Sequence, residues 1–167
     1  IGYADAVTVA AISTVTPTYA SSVIEMPDIA TDSGAVVDAQ SFRAALPVKA
    51  YEQAGIGPED VSLAEVYDLS TALEMDWMED LQLCERGQAA QLVREGATKI
   101  GGRLPINTSG GLACFGEAVP AQAISQICEL TWQLRGQAGD RQVENANVGI
   151  TANQGLFGHG SSVIVKR

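Results

Sequence analysis

A glycine-rich turn, Asn107-Thr-Ser-Gly-Gly, runs straight into the longest apolar-periodic stretch of the chain, and Glu117 stands at the junction. A junction of this kind points backbone N–H groups and one ionisable side chain at a common place, which suits polarising a carbonyl. The helix that follows is predicted over about Ala118 to Leu134. Its apolar stripe is Ile124, Ile127, Cys128, Thr131 and Leu134, extended by Val119 and Ala123. A one-sided helix of that length needs a partner layer to cover its stripe.

The rest of the chain supplies that layer. Ala6 to Val15 is β-branched and short, and predicts a buried strand. Thr16 to Ala35 is polar and broken by Pro17 and Pro27, which predicts a long loop or arm of the kind often found at interfaces. Gln40 to Ala54 has a helical period that Pro47 is expected to kink or divide, and Gly55 ends it. After a turn at Pro58, Leu63 to Asp68 predicts a second strand. Thr71 and Glu74 have capping-box spacing for a helix to about Leu83. Gln88 to Glu95, closed by Gly96, predicts a short helix, and Gly101 to Asn107 is extended. Two strands, around Val148 to Ala152 and Ser162 to Lys166, are joined by a glycine-rich turn and predict an antiparallel hairpin. The order β, α, β, α, α, β, β is that of one layered α/β domain over residues 1–167, with helices on a mostly parallel mixed sheet.

Charge removes some functions. Ten basic against twenty acidic residues give a net charge of −10, opposite to what a nucleic-acid surface or an anionic membrane surface requires. Three cysteines without Cys-x-x-Cys spacing and a single histidine offer no zinc set, and scattered thiols suit a reducing, cytoplasmic setting. No run of about 18 apolar residues is present to span a bilayer.

The candidate residues each carry two readings. Glu117 is either a base or hydrogen-bond acceptor in a site, or a carboxylate favoured by a helix N-terminus. Tyr67 can donate its phenolic proton to a carbonyl or alkoxide, or be an amphipathic ring packed at a strand end. Asp68 reads as structural, bonding loop N–H groups before the next helix. His159, between two glycines, is an acid/base or an exposed loop residue. Asn153 is an oxyanion donor or a turn residue. Cys114 reads as a small buried thiol. Gly110 and Gly111 supply positive φ or a close backbone approach that a thioester site can also use. Trp77, Met75 and Met78 read as core, with an acyl pocket as the alternative.

Glu65-Val-Tyr-Asp, then Gly101-Gly-Arg-Leu-Pro-Ile-Asn-Thr-Ser-Gly-Gly, a loop and helix, and finally Gly149 to Gly160 resemble, in that order, the C-terminal half of a thiolase. Trp132 to Val143 is similar to the sterol-carrier/lipid-transfer branch of the acyl-CoA thiolases. The resemblance covers the chain from about residue 4 onward. It implies that the nucleophilic cysteine lies in an N-terminal half absent from these 167 residues, so that this half alone is inactive. Three family elements map onto Tyr67-Asp68, onto Gly116-Glu117-Ala118, and onto Ala152-Asn153-Gln154 with Gly155 following. All three depart from the family's pattern, and a glutamate stands where the family has its activating histidine. The resemblance implies coenzyme A as cosubstrate, no bound cofactor, and acyl-CoA carbon–carbon chemistry of the acetyl-CoA acetyltransferase or 3-ketoacyl-CoA thiolase type in lipid or sterol breakdown. A retro-aldol lyase acting on a hydroxyacyl-CoA and a non-catalytic acyl-CoA or lipid-binding subunit are the alternatives. Implied partners are the N-terminal half, a second copy in a dimer or tetramer, and a small OB-fold/zinc-ribbon protein.

Overall fold

The computed structural model describes residues 6–16, 44–118, 120–155 and 159–167. Four strands form one sheet: β1 (Thr8–Val15), β2 (Leu63–Val66), β3 (Val148–Gln154) and β4 (Gly160–Lys166), in the order β1-β4-β3-β2. β2 lies parallel to β3, and Ile106 adds a parallel bridge to Ala64 on the far side of β2. β3 and β4 make the expected antiparallel hairpin, and β1 closes antiparallel onto β4. The layered α/β class and the mixed sheet are as the sequence predicts. Antiparallel pairings outnumber the parallel one among the described strands because β1 joins the hairpin at its free edge.

Alternate side chains feed two cores, as strand geometry requires. Ala64, Val66, Ile150, Ala152 and Ile164 face one cluster, closed by Leu46, Tyr51, Trp77 and Met78. These come from α1 (Ala45–Ala54) and α2 (Thr71–Asp80), followed by α3 (Ala89–Arg94). Trp77 and Met78 are fully buried there, so core packing accounts for them. Leu63 and Val165 face the opposite way, against Leu130 and Leu134 of α5 (Ala121–Leu134). A Cβ on Gly149 would come within 2.9 Å of the Leu130 side chain, so the absence of one lets α5 settle on β3.

Several local expectations shift. Pro47 does not kink α1, because it is the third residue of the helix, where backbone N–H groups lack intrahelical partners anyway. Gly55 ends α1 at φ 64°, in the left-handed region. The cap of α2 is Ser70, whose hydroxyl accepts the Leu73 N–H at 3.1 Å, one residue before the predicted Thr71. β1 is an edge strand rather than a buried one, with Val9 and Ile12 exposed. The arm at Thr16 to Ala35 lies, beyond Thr16 itself, outside the described residues, as do Gln40 to Arg43 and Val119.

α5 departs most from its prediction. Its buried residues are Gln122, Gln126, Glu129, Leu130, Gln133 and Leu134, while Ile124, Cys128 and Trp132 are exposed at four-residue spacing. The inward polar side chains are held by distant partners: Gln126 accepts from Asn153 at 2.9 Å, and Gln133 Oε1 accepts the Val143 N–H at 2.7 Å. Satisfied amides can line a helix–sheet seam at little net cost. The apolar contribution is concentrated at the C-terminal end of α5. Leu130→Ala is therefore expected to lower unfolding free energy by about 2–5 kcal/mol in chemical denaturation, the range for emptying a closely packed leucine site.

Candidate active site

The parallel strands β2 and β3 end at the same edge of the sheet, where ligands of α/β proteins commonly bind. The Tyr67 N–H donates to the Ala152 carbonyl at 2.9 Å, tying the two ends together. Above them lies a short helix that periodicity does not reveal, α4 (Gly111–Phe115). Gly110 and Gly111 both adopt positive φ, 89° and 60°. A Cβ on Gly111 would fall 2.1 Å from Asp68 Oδ2, so a side chain here would evict the carboxylate. Asp68 instead receives the Leu112 N–H on both oxygens, at 3.0 and 3.2 Å. Asp68 is structural, but it anchors α4 and not the loop that begins α2, which Ser70 caps.

α4 ends at Gly116, φ 76°, and the chain turns so that Glu117 accepts a hydrogen bond from the Tyr67 hydroxyl. Two residues singled out separately in sequence, fifty positions apart, meet here. Glu117 is not in the first turn of α5 but in the link between α4 and α5, exposed apart from its contact with Tyr67. Capping of α5 therefore does not explain it. Burial, then the hydrogen bond and charge of Glu117, then the charge of Asp68 push the Tyr67 phenol up to about 12. At neutral pH the Tyr67 phenol keeps its proton and donates it in the hydrogen bond to Glu117.

The remaining candidates are less convergent. Asn153 ends β3 at the same edge, yet its amide is buried and donates to Gln126, away from the role of an open oxyanion donor. His159 opens β4, two strands from β2 and so roughly 10 Å across the sheet. Its ring is exposed, with Nδ1 3.2 Å from the Thr16 hydroxyl, and its carbonyl accepts the Gly155 N–H at 2.7 Å. Cys114 is exposed on α4, correcting the expectation of a buried thiol. Depressions lined by Glu79, Cys84 and Arg86, and by Tyr51, Glu52 and Gly57, lie elsewhere; at the rim of the sheet Tyr67 is buried, 5% exposed, and Glu117 is exposed. Among the described residues no group of three His, Cys, Asp or Glu side chains is placed to hold a metal ion, and no helix is long and apolar enough to cross a membrane.

Sequence reasoning missed a second polar group behind this rim. Glu65 is 1% exposed on β2 and faces Thr108, Ser109 and, through Thr108, Glu129. Its signal was only its place beside Tyr67 in the strand motif.

Residues 17–167 match the thiolase C-terminal domain-like family. The chain belongs to that family. It is 44% identical over 110 residues to sterol carrier protein 2 of Rattus norvegicus, covering 66% of this chain and 20% of that protein. It is 40% identical over 114 residues to acetyl-CoA acetyltransferase of Methanothermobacter thermautotrophicus, covering 68% and 30%. Among solved structures, the Ltp2-ChsH2(DUF35) aldolase superposes with a TM-score of 0.65 at 31% identity, covering 74% of this chain and 31% of that one. The chain thus spans between a fifth and a third of the length of the relatives it matches.

The Tyr67–Glu117 contact is testable without turnover. In Glu117→Gln the Tyr67 phenol is expected to titrate below its wild-type value of about 12, since the Glu117 charge that helps raise it is removed while an acceptor oxygen remains. Burial, the largest cause, remains. Tyrosine ring-carbon NMR across an alkaline titration reads the shift, and an unchanged value would mean the two side chains are not in contact.

Proposed function

We propose that the full protein breaks or forms a carbon–carbon bond beside an acyl-CoA thioester, with Tyr67 and Glu117 as the proton-transfer pair. The hydrogen bond from Tyr67 to Glu117 carries this reading. A carboxylate cannot donate to an oxyanion as an imidazole does, so the position of the family's activating histidine here favours proton acceptance. Retro-aldol cleavage fits that best, and the aldolase among the structural relatives supports it. A β-hydroxyacyl thioester gives its hydroxyl proton to the Tyr67 oxygen while the phenolic proton passes to Glu117. The O–H electron pair becomes the new carbonyl, the Cα–Cβ bond breaks, and its electrons form the thioester enolate. The proton held by Glu117 then returns to the enolate carbon, leaving a ketone or aldehyde and a shortened thioester.

Thiolytic cleavage is the second reading, supported by the acetyl-CoA acetyltransferase relatives. It would take its nucleophile from a cysteine-bearing N-terminal half, which we propose as part of the full protein or as a separate subunit. Gly110, Gly111, Gly116 and Gly155 are proposed to shape the thioester-binding rim, with Asn153 and His159 in supporting places. The exposed apolar side chains Ile124 and Trp132 of α5 support an additional layer. Val9 and Ile12 add to it, because they pair with Val165 and Val163 on the face that α5 covers. That layer is proposed to be the other half of the protein. Self-association as a dimer or tetramer is proposed by analogy with the family. The two components named in the Ltp2-ChsH2(DUF35) aldolase support a second subunit, for which we propose a small OB-fold/zinc-ribbon protein. Three free thiols, two of them exposed, support a reducing compartment such as the cytoplasm.

Full-length protein assayed with a β-hydroxyacyl-CoA is expected to release a carbonyl product without added coenzyme A. Tyr67→Phe and Glu117→Gln are each expected to lower kcat about 10²–10⁴-fold, the usual contribution of a positioned acid or base. Product release only on adding coenzyme A would favour thiolysis, and acyl-CoA binding without either reaction would identify a binding subunit. Full activity in Glu117→Gln would remove the pair from the mechanism.

A further inference from the structure

The side chain behind the rim, Glu65, has a hydrogen-bond count that fixes its protonation. Its Oε1 lies 3.1 Å from the Ser109 N–H and 3.1 Å from Thr108 Oγ1, and its Oε2 lies 2.5 Å from Ser109 Oγ. Thr108 Oγ1 is also 3.2 Å from Glu129 Oε1 and 3.2 Å from Gln133 Nε2. The Gln133 amide is oriented by Val143, whose N–H reaches its oxygen at 2.7 Å, so its nitrogen is a donor; the Arg141 carbonyl at 2.7 Å takes one hydrogen, and Glu129 and Thr108 share the other. Thr108 therefore has one hydrogen to give and two carboxyl groups asking for it.

Charge decides which carboxyl is ionised. Arg141 is bound to Glu129 through Nε at 3.2 Å and Nη2 at 2.8 Å. Burial pushes the Glu129 carboxyl up, but the hydrogen bonds from Arg141 and Gln133 and the Arg141 charge outweigh it and hold it low. Glu129 from α5 and, beyond it, Arg141 from the Gly139–Arg141 turn are the charged groups facing Glu65. Among the described residues no cation bonds Glu65 directly, and a buried carboxylate without one is costly. With both groups ionised, one would face a Thr108 lone pair. A proton on Glu65 Oε1 removes the conflict: Glu65 donates to Thr108, Thr108 donates to Glu129, and Ser109 donates to Glu65 Oε2.

We propose that Glu65 is a positioning residue that acts as the uncharged acid, fixing the Asn107–Leu112 loop and through it the Tyr67–Glu117 pair. The loop is stapled to β2 at successive points. Asn107 Oδ1 takes the Val66 N–H at 2.7 Å, Glu65 takes Ser109, Ser109 Oγ takes the Gly111 N–H at 3.1 Å, and Asp68 takes Leu112. α4 leads from the last of these to Glu117. Ionising Glu65 strengthens its bonds from Ser109 but turns the Thr108 hydrogen away from Glu129, which releases the tie between the loop and α5. Burial pushes the Glu65 carboxyl up to about 7 from its ordinary 4.5, with Glu129 adding to the shift and the Ser109 and Thr108 hydrogen bonds opposing it. The folded state then holds a proton that the unfolded chain has lost, so stability falls as pH rises from about 4.5 to about 7 and levels off above.

The effect on the site rests on the role proposed for Tyr67 and Glu117; the protonation does not. Full-length wild type, Glu65→Gln and Glu65→Ala are compared. Infrared difference spectra of wild type are expected to show a buried carboxylic-acid carbonyl band below about pH 7 that fades above it and is missing from Glu65→Gln. Wild type is expected to lose thermal stability relative to Glu65→Gln between about pH 4.5 and 7, because the amide can donate to Thr108 and accept from the Ser109 hydroxyl but cannot ionise. The pH profile of kcat, or of acyl-CoA binding where turnover is absent, is expected to fall near 7 in wild type and stay flat there in Glu65→Gln. Glu65→Ala is expected to be impaired at least tenfold throughout. Absence of the band in wild type overturns the neutral acid. A band accompanied by identical pH profiles in wild type and Glu65→Gln, or by equal impairment of Gln and Ala variants, overturns the positioning role. If wild type neither turns over nor binds acyl-CoA, the proposed function fails, and the band and the stability curves still decide the protonation.

Discussion

β2 has a full strand, β3, on one side and a single bridge, Ala64 with Ile106, on the other. Its remaining outward N–H groups and the amides of the loop after Ile106 need acceptors, since a buried unpaired amide costs about 1–3 kcal/mol. Three side chains provide them: Asn107 for Val66, Glu65 for Ser109, and Asp68 for Leu112. The loop is thereby sewn to the end of the strand by side chains instead of a ladder. Everything that follows along the chain, from α4 to Glu117 over Tyr67, takes its position from that seam. Edge satisfaction and site construction are the same set of contacts.

Much of this was legible in the residues. β-branched runs marked the strands, and glycines marked the helix ends at Gly55 and Gly96, both of which have positive φ. Tyr67, Asp68 and Glu117 were each singled out from residue type and position. Their meeting was not legible, because it depends on α4, a five-residue helix too short to carry a period. The inner face of α5 was misread for a different reason. Residue type assigns Gln126, Glu129 and Gln133 to solvent, and Asn153, Thr108, Arg141 and Val143, brought in from other parts of the chain, allow them to be buried. Likewise Asn153 looked like a free amide at a strand end until Gln126 claimed it.

α5 is consequently a helix with two kinds of surface, neither of which behaves as hydropathy alone would assign it. The polar side meets the sheet and carries specific hydrogen bonds, which fix one register of helix on strand. The side exposed to solvent carries Ile124 and Trp132 in a row. Geometric specificity is supplied on the inner face, while the non-directional apolar contacts of Ile124 and Trp132 are left on the outer one.

Gly111 and Glu117 differ in how much of the fold each one constrains. Any side chain at position 111 would collide with Asp68 and undo the anchoring of α4, so that place admits glycine alone. Glu117 follows a helix stop and is exposed. Exchanging its side chain disturbs the Tyr67 contact and little else. The place of α4 is therefore held by positions that tolerate little change, while the side chain that meets Tyr67 stands where an exchange leaves the architecture untouched.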